Sequence, residues 1–326
     1  SDTTPVYTLL VLADGEIDVR ARKHVTLDGA FNSTALPASK INTSRNLGAL
    51  SAFGDNSDID ETFFYTYSAT SKLNLASIAG NLTLNNSSSS ITSSLPTGAG
   101  GLSLNLAIFP AQNFLIYPVS LDAIALSGNA QVNETRFFPS PNGSLNLLAN
   151  GNVNIGGVIQ MYESDPARVA NPLQPVTRLV AAGKTPIPGG SADIHLDTVA
   201  WPLLPLHRND GKPIRIVAET GDIVGNARPI VFPKQAQFIA GKDISNLNLD
   251  GKNLNTGDLT LLQAGRDIIF DIRQDATSNK LLSNPNRIRV GGPGLLELLA
   301  GRNLDLGNSA GVTTRDSTDD ARLPAG

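Results

Sequence analysis

Cysteine is absent from this chain of 326 residues, which also has only one tryptophan, one methionine and 5% aromatic residues. The absence of cysteine excludes disulfides, thiolate metal sites, iron–sulfur clusters and cysteine nucleophiles. The low aromatic content disfavours a β-propeller, whose blades of about 40 to 50 residues carry periodic aromatic side chains. A protein of this composition depends on apolar burial and backbone hydrogen bonds for its stability.

Charge and long apolar runs are also scarce. Charged residues make up 17% of the chain, and the formal net charge is −4. No basic stripe is dense enough to follow a phosphate backbone, so the sequence disfavours nucleic-acid binding. The longest apolar run near the start, Tyr7 to Ala13, has the length of a strand and falls short of the roughly 18 residues of a membrane span. Because Ser1 is not an initiator methionine and no signal-peptide pattern follows it, we expect a segment of a longer protein.

A short phrase recurs along the chain: an apolar alternation, a small residue, glycine, one or two polar residues and a second apolar alternation. Its best copies are Phe238–Ile244 (FIAGKDI), Leu262–Ile268 (LQAGRDI) and Leu298–Leu304 (LLAGRNL). From Gly80 the phrase glycines are separated by 48, 23, 70, 20, 24 and 36 residues, at Gly128, Gly151, Gly221, Gly241, Gly265 and Gly301. The short intervals predict one coil of a solenoid each, and the long ones either coils with insertions or two coils with a degenerate phrase.

The apolar alternation inside each copy has a period of two, which places aliphatic residues on one face of a strand and polar residues on the other. Glycine between two such runs supplies a positive φ or a tight corner. The predicted structural turn positions are Gly80, Gly151, Gly221, Gly241, Gly265, Gly301, Asp243, Asp267 and Asn303. A sandwich or barrel would instead need hairpin signals at short, regular spacing.

These patterns predict an all-β fold, a right-handed parallel β-helix (β-solenoid) with loop insertions that extends over residues 1–326 as a single unit. With about 22 residues and a rise of about 4.8 Å per coil, the chain would form at most about 15 coils, or roughly 70 Å.

Two segments interrupt the pattern strongly enough to predict insertions. Residues 85–97 are a polar low-complexity stretch, and residues 165–205 are rich in proline, which cannot donate to an interior ladder. We expect the second insertion to protrude and to form a binding loop with Trp201, His207 and Arg208. The acidic and aromatic segment Asp55–Tyr67 is a further candidate insertion.

The phrases at Gly257–Arg273 (GDLTLLQAGRDIIFDIR) and Gly292–Thr314 (GPGLLELLAGRNLDLGNSAGVTT) resemble large bacterial exoproteins of the filamentous haemagglutinin type. The resemblance implies a shaft segment of a two-partner secretion protein, exported through an outer-membrane secretion transporter. It further implies an extracellular or cell-surface location and a role in adhesion, aggregation or contact-dependent competition.

Alignment of the phrases on glycine gives a basic column, Lys242, Arg266 and Arg302, beside a second column, Asp243, Asp267 and Asn303. The columns form either a strip that binds an acidic polysaccharide or a cation, or exposed pairs across coils that keep the corner soluble. The three histidines, His24, His195 and His207, lack the spacing of a zinc motif and are expected at the surface. No cofactor or metal is predicted.

Two further alternatives concern activity. Polysaccharide lyases and hydrolases also adopt the parallel β-helix fold. Hydrolysis of a glycosidic bond needs two catalytic carboxylates about 5 to 10 Å apart. The acids that could supply such a pair are Asp222, Asp243, Asp258, Asp267, Asp271 and Asp305. Most of them lie within two residues of a glycine, where a turn carboxylate is expected in any case, so a non-enzymatic shaft is the preferred hypothesis. Its loops would bind a host or bacterial glycan or protein, or act only as a spacer.

Overall fold

A computed structural model of the chain describes residues 8–32, 34, 58–86, 116–173, 176–181, 196, 202, 204–316 and 323. Throughout this described part the chain forms β-strands joined by turns, and none of these residues lies in an α-helix. The all-β class predicted from the sequence is therefore confirmed.

The described residues form strands with the following bounds. In chain order they are β1 (Leu9–Leu12), β2 (Glu16–Ala21), β3 (Val25–Leu27), β4 (Gly29–Asn32), β5 (Asp58–Phe63), β6 (Lys72–Ser77), β7 (Leu82–Leu84), β8 (Ser120–Ala125), β9 (Ala130–Val132), β10 (Thr135–Phe137), β11 (Ser144–Ala149), β12 (Val153–Ile155) and β13 (Ile159–Met161). They continue as β14 (Val176–Ala181), β15 (Ile214–Ala218), β16 (Ile223–Val224), β17 (Pro229–Phe232), β18 (Ala236–Ala240), β19 (Ile244–Ser245), β20 (Asn248–Lys252), β21 (Leu259–Ala264), β22 (Ile268–Ile269), β23 (Arg287–Gly291), β24 (Leu295–Ala300), β25 (Leu304–Asp305) and β26 (Val312–Arg315).

Three long parallel sheets run along the molecule. Sheet 1 has eight strands in the order β2-β6-β8-β11-β15-β18-β21-β24, and sheet 2 has eight in the order β3-β7-β9-β12-β16-β19-β22-β25. Sheet 3 has six strands in the order β10-β13-β17-β20-β23-β26. From β8 onward every coil adds one strand to each sheet in turn, and neighbouring coils pair in parallel. The predicted parallel β-helix is confirmed.

Sheet register settles how the unequal glycine intervals arise. Strand β6 pairs directly with β8, and β11 pairs directly with β15, so the intervals of 48 and 70 residues are single coils with insertions. Sheet 1 therefore holds eight coils, which at a spacing of about 4.8 Å extend over about 34 Å from first to last strand. The expected upper bound of 15 coils is not reached because long connections take up much of the chain.

Insertions are confined to two of the three corners of the coil. The turn from sheet 1 to sheet 2 takes only three or four residues in every coil, from Ala21–Val25 at one end to Ala300–Leu304 at the other. The long connections 33–71 and 162–213 enter sheet 1, and 270–286 enters sheet 3. Connection 85–119 joins β7 to β8; most of the predicted 85–97 insertion lies outside the described residues.

Two of these insertions pair with each other away from the shaft sheets. Strand β5 lies in the predicted acidic and aromatic segment, and it pairs antiparallel with β14 from the proline-rich segment. The backbone amide of Tyr65 also donates to the carbonyl of Ala170 at 2.9 Å. The rings of Tyr65 and Tyr67 pack against Phe138, which anchors the first insertion to the shaft. The two interruptions in the sequence pattern thus fold together.

The core consists of aliphatic stacks in which equivalent inward residues of successive coils lie on top of each other. Leu75, Ala123, Leu147, Ile216, Phe238 and Leu262 form one such stack in sheet 1 and are all buried. Full burial of a side chain of this size contributes about 1.5–3 kcal/mol. At the end of the same strands the stack narrows to alanine, as in Ala125, Ala149, Ala218, Ala240 and Ala264. The small residue of the recurring phrase fills this narrow edge of the core.

The phrase glycines follow these alanines at the corner between sheets 1 and 2. A Cβ atom on Gly265 would overlap the carbonyl oxygen of Gly241, and one on Gly301 would overlap that of Gly265. The φ angles of these glycines are not positive. The expected positive φ is therefore wrong for these glycines, and the close approach of successive coils, which was not predicted, explains why glycine is needed.

We expect Gly265→Ala to lower the free energy of unfolding by about 1–3 kcal/mol, because the methyl group meets backbone of the neighbouring coil. Gly257→Ala is the matched control, since a Cβ there meets no atom within 4 Å. The control should change stability by less than about 1 kcal/mol. Urea denaturation of both variants measures the difference, and equal effects would contradict the close-packed corner.

Candidate functional site

A ladder of side-chain acceptors follows the glycine corner from coil to coil. In each step a side-chain atom of one coil accepts the backbone N–H of the equivalent residue in the next coil, at distances of 2.8–3.1 Å. The members are His24, Asn81, Asn129, Asn152, Asp222, Asp243, Asp267 and Asn303. The predicted turn residues Asp243, Asp267 and Asn303 are thus consecutive members. The acceptors Asn81, Asn129 and Asn152 were not predicted, because the phrase is degenerate in those coils.

The basic column lies beside this ladder and pairs with it across coils. Arg266 donates to Asp243 through Nε at 3.0 Å and through Nη2 at 2.6 Å. Arg302 donates to Asp267 in the same bidentate way, with its Nε at 2.9 Å. Each guanidinium therefore faces a carboxylate of the preceding coil. This geometry matches the second of the two alternatives, charged pairs across coils, for both arginines.

Asp267 shows the electrostatic consequence of this arrangement. Hydrogen bonds from Arg302 and from the backbone and side chain of Asn303 lower the pKa of Asp267 to about 2. Because the folded pKa lies below the unfolded value of about 3.9, its stabilising contribution is present above pH 4 and is lost as the pH falls towards 2.

We expect Asp267→Asn to remove this contribution while keeping an acceptor for the Asn303 amide. The difference in free energy of unfolding between the unchanged chain and the variant should shrink as the pH falls from 4 to 2. Urea denaturation across that range measures it, and Arg302→Gln should reproduce the effect. A difference that stays constant with pH would contradict the assignment.

The other acids considered for catalysis accept hydrogen bonds within turns or across coils. The carboxylate of Asp258 accepts the backbone amides of Leu254 and Asn255 at 2.7 and 2.9 Å. Asp271 accepts a hydrogen bond from the Asn246 side chain. Asp305 accepts the amide of Gly307. Within the part of the chain that the structure describes, no group of three or more His, Asp or Glu residues is arranged to hold a metal ion.

The predicted binding loop is placed only in part. Trp201 and His195 lie outside the described residues. Arg208 is exposed, and its backbone carbonyl accepts a hydrogen bond from Asn255 on the shaft. The surface position expected for His207 is wrong, because that residue is only 1% exposed. The insertion that carries it folds back on the shaft, so His207 contacts buried groups rather than solvent.

His207 belongs to a buried polar cluster at the junction of insertion 162–213 with the shaft. The insertion contributes Glu163, His207 and Asp210, and the shaft contributes Lys234 and Lys252. The Nζ atom of Lys234, a residue 1% exposed, lies 2.6 Å from Asp210 Oδ2, and the Nζ atom of Lys252 lies 2.6 Å from Glu163 Oε2. We call these five residues the junction cluster.

The cluster is balanced in charge as long as His207 is neutral. Its Nδ1 lies 3.4 Å from Asp210 Oδ2, and its Nε2 is buried with no hydrogen-bond partner. Burial, reinforced by the charge of Lys234, lowers the pKa of His207, although Asp210 acts in the opposite sense. Burial also lowers the pKa of Lys234. For Asp210 burial acts in the opposite direction, but the hydrogen bonds that its carboxylate accepts from His207 and Lys234 outweigh it and lower the pKa.

Sequence analysis missed the lysines of this cluster. Lys234 lies two residues after the inward residue Phe232, so the alternation along a strand places it on the same inward face. That spacing could have predicted a buried charge. Lys252 follows the outward residue Asp250 by two positions and carries no such signal, because a distant segment covers it.

We expect the insertion to loosen as the pH falls below about 6.5, the unperturbed histidine value. Because burial lowers the pKa of His207 in the closed protein, the full stabilising contribution of the neutral ring is present above that pH. Below it the opened insertion binds a proton at His207 more readily than the closed one, so protonation favours opening. The charged groups that act on His207 are Asp210, Lys234 and Glu163. Behind them, Lys252 pairs with Glu163, and Lys212 acts on Lys234.

Hydrogen exchange of residues 204–213 at pH 7.5 and 5.5 tests this expectation, with faster exchange at pH 5.5 after correction for the intrinsic rate. His207→Phe should abolish the pH effect, whereas His24→Phe on the exposed ladder should leave it unchanged. Equal protection at both pH values in the unchanged chain would contradict it.

Comparison of the whole chain with protein-family models, curated proteins and solved structures gives no match in any of the three. None of the described residues forms a helix with the length and hydropathy of a membrane span. Arguments about function therefore depend on the geometry of the shaft, the glycine corner and the junction cluster.

Proposed function

We propose that the chain is a structural shaft segment of a secreted or cell-surface bacterial exoprotein that mediates adhesion or aggregation. The observation that carries the proposal is the regular stacking of eight coils through sheets 1 and 2. A solenoid of this kind holds whatever is attached to it at a fixed distance, because each coil contacts mainly its neighbours. Rigidity and reach are then the mechanism.

The glycine corner supports this role. Side-chain acceptors join successive coils from His24 to Asn303, so the corner is tied over the full height of the shaft. The bidentate pairs of Arg266 and Arg302 add cross-coil contacts on the same corner. A spacer that must resist bending and local unfolding needs such contacts at every coil.

Insertion 162–213 is the part of the shaft best suited to present a binding surface. The junction cluster fixes both ends of its described part to the coils through Lys234 and Lys252. Binding residues occur preferentially on loops held by a rigid scaffold. We propose that this insertion contacts a host or bacterial surface glycan or protein.

The resemblance to filamentous haemagglutinin-type exoproteins supports the remaining parts of the proposal. They are export through an outer-membrane secretion transporter and an extracellular or cell-surface location. The phrases that carry the resemblance, Gly257–Arg273 and Gly292–Thr314, coincide with the strands and corner of the last two coils.

We expect beads coated with the intact chain to attach to cells. A variant in which residues 162–213 are replaced by the six-residue connection Phe138–Gly143, which links the same two sheets between β10 and β11, should lose attachment. Attached beads are counted by microscopy, and circular dichroism checks that the variant keeps its β-structure.

Equal attachment by both proteins would contradict the role of the insertion, and no attachment or aggregation by the intact chain would contradict the adhesive role. Release of new reducing ends or unsaturated products from polysaccharides, abolished by one Asp substitution, would establish the enzymatic alternative instead.

A further inference from the structure

Three arginines meet on the outer face of sheet 3, at the C-terminal end of the described shaft. On β23 Arg287 and Arg289 alternate with the buried residues Ile288 and Val290, so both guanidinium groups point outward. Arg315 on β26 reaches the same place from the next coil. Strand alternation and coil stacking thus concentrate three positive charges that lie far apart in the sequence.

The carboxylate of Asp250 faces all three of these charges. Asp250 on β20 is the register partner of Arg289 and pairs with it through Oδ2, while Arg315 Nη2 lies 2.6 Å from Oδ1. The nearest nitrogen of Arg287 is 4.0 Å from Oδ2, at the outer limit of an ion pair. Asp250 therefore has both oxygens occupied by other arginines, and Arg287 receives little compensation from it.

The hydrogen bonds of Arg287 and Arg289 are also incomplete. The Nε atoms of both residues are buried and have no hydrogen-bond partner. On the glycine corner Arg266 and Arg302, in contrast, use both Nε and Nη2 on one carboxylate each. A guanidinium donor withdrawn from water without an acceptor is costly, so Arg287 and Arg289 differ from the corner arginines in donor satisfaction.

The side chains remain open to a ligand. Arg287 is 37% exposed and Arg289 is 26% exposed, and because their Nε atoms are buried, the exposed area lies on other atoms of the side chains. Guanidinium groups recognise carboxylate, sulfate and phosphate oxygens through paired N–H donors. An oxyanion would accept hydrogen bonds from the terminal guanidinium N–H groups of Arg287, which lie beyond hydrogen-bond distance of Asp250.

We infer that Arg287 and Arg289, with Arg315 behind them, form a binding site for an oxyanion, the carboxylate or sulfate group of an acidic ligand. The site lies on the shaft itself and is independent of insertion 162–213. The positive charge of Arg287, which lies 4.0 Å from Asp250, attracts the ligand, and Asp250 orients Arg289.

Sulfate titration of the full chain at constant ionic strength, followed by the NMR signals of the arginine Nε–H groups, tests the site. Saturable shifts should occur for Arg287 and Arg289, and the affinity should fall by about tenfold or more in Arg287→Gln/Arg289→Gln. Arg266→Gln, which removes an arginine already paired with Asp243, is the matched control and should leave sulfate binding unchanged. A parallel titration with glucuronate distinguishes a carboxylate from a sulfate ligand.

Asp250→Asn separates binding from a structural role. A binding site should take up sulfate several-fold more tightly once its competing carboxylate is neutral, whereas a purely structural cluster would lose stability without gaining affinity. Absence of saturable shifts for either anion, or an equal loss of binding in Arg266→Gln, would overturn the inference.

Discussion

The close approach of successive coils at one corner is the constraint on which the rest of the shaft depends. At the turn from sheet 1 to sheet 2, the backbone of each coil lies so near the next that no side chain fits at Gly265 or Gly301. The ladder of side-chain acceptors then fixes the vertical position of each coil against its neighbour. Because this corner sets the register, the other two corners are free to vary. Every long connection enters or leaves at those corners, while this one keeps three or four residues throughout.

The same constraint explains which parts of the structure could be predicted from the sequence. A turn of fixed length with alanine, glycine and a polar acceptor produces a recognisable phrase, and that phrase sufficed to predict the stacked parallel coils. The number of coils could not be predicted, because the lengths of the connections carry no signal of where the chain rejoins its sheet. The ladder residues Asn129 and Asn152 were missed for a related reason: asparagine meets the same requirement as aspartate but is common elsewhere in this chain.

The junction cluster lay beyond prediction because it is made by contact between segments distant in sequence. Glu163 and Lys252 are ordinary surface residues in their local patterns, and their ion pair joins segments that are 89 residues apart in the sequence. Removing such charges from water is costly, and a buried pair often contributes little net stability. Its geometric demand is strict, however, since a shift of the insertion would leave a buried charge without its partner. The pairs of Lys234 with Asp210 and of Lys252 with Glu163 therefore determine the position of the insertion more than the stability of the shaft.

Charge on the outside of this shaft follows two different patterns. On the glycine corner Arg266 and Arg302 each make a bidentate pair with a carboxylate of the preceding coil. On sheet 3 Arg289 and Arg315 share Asp250, and Arg287 lies 4.0 Å from the same carboxylate. Because successive residues of a strand alternate between its two faces, the outward row can vary in its pairing while Ile288 and Val290 stay buried in the inward stack. A β-helix can for this reason carry chemically specific groups along its faces while its corners maintain the shaft.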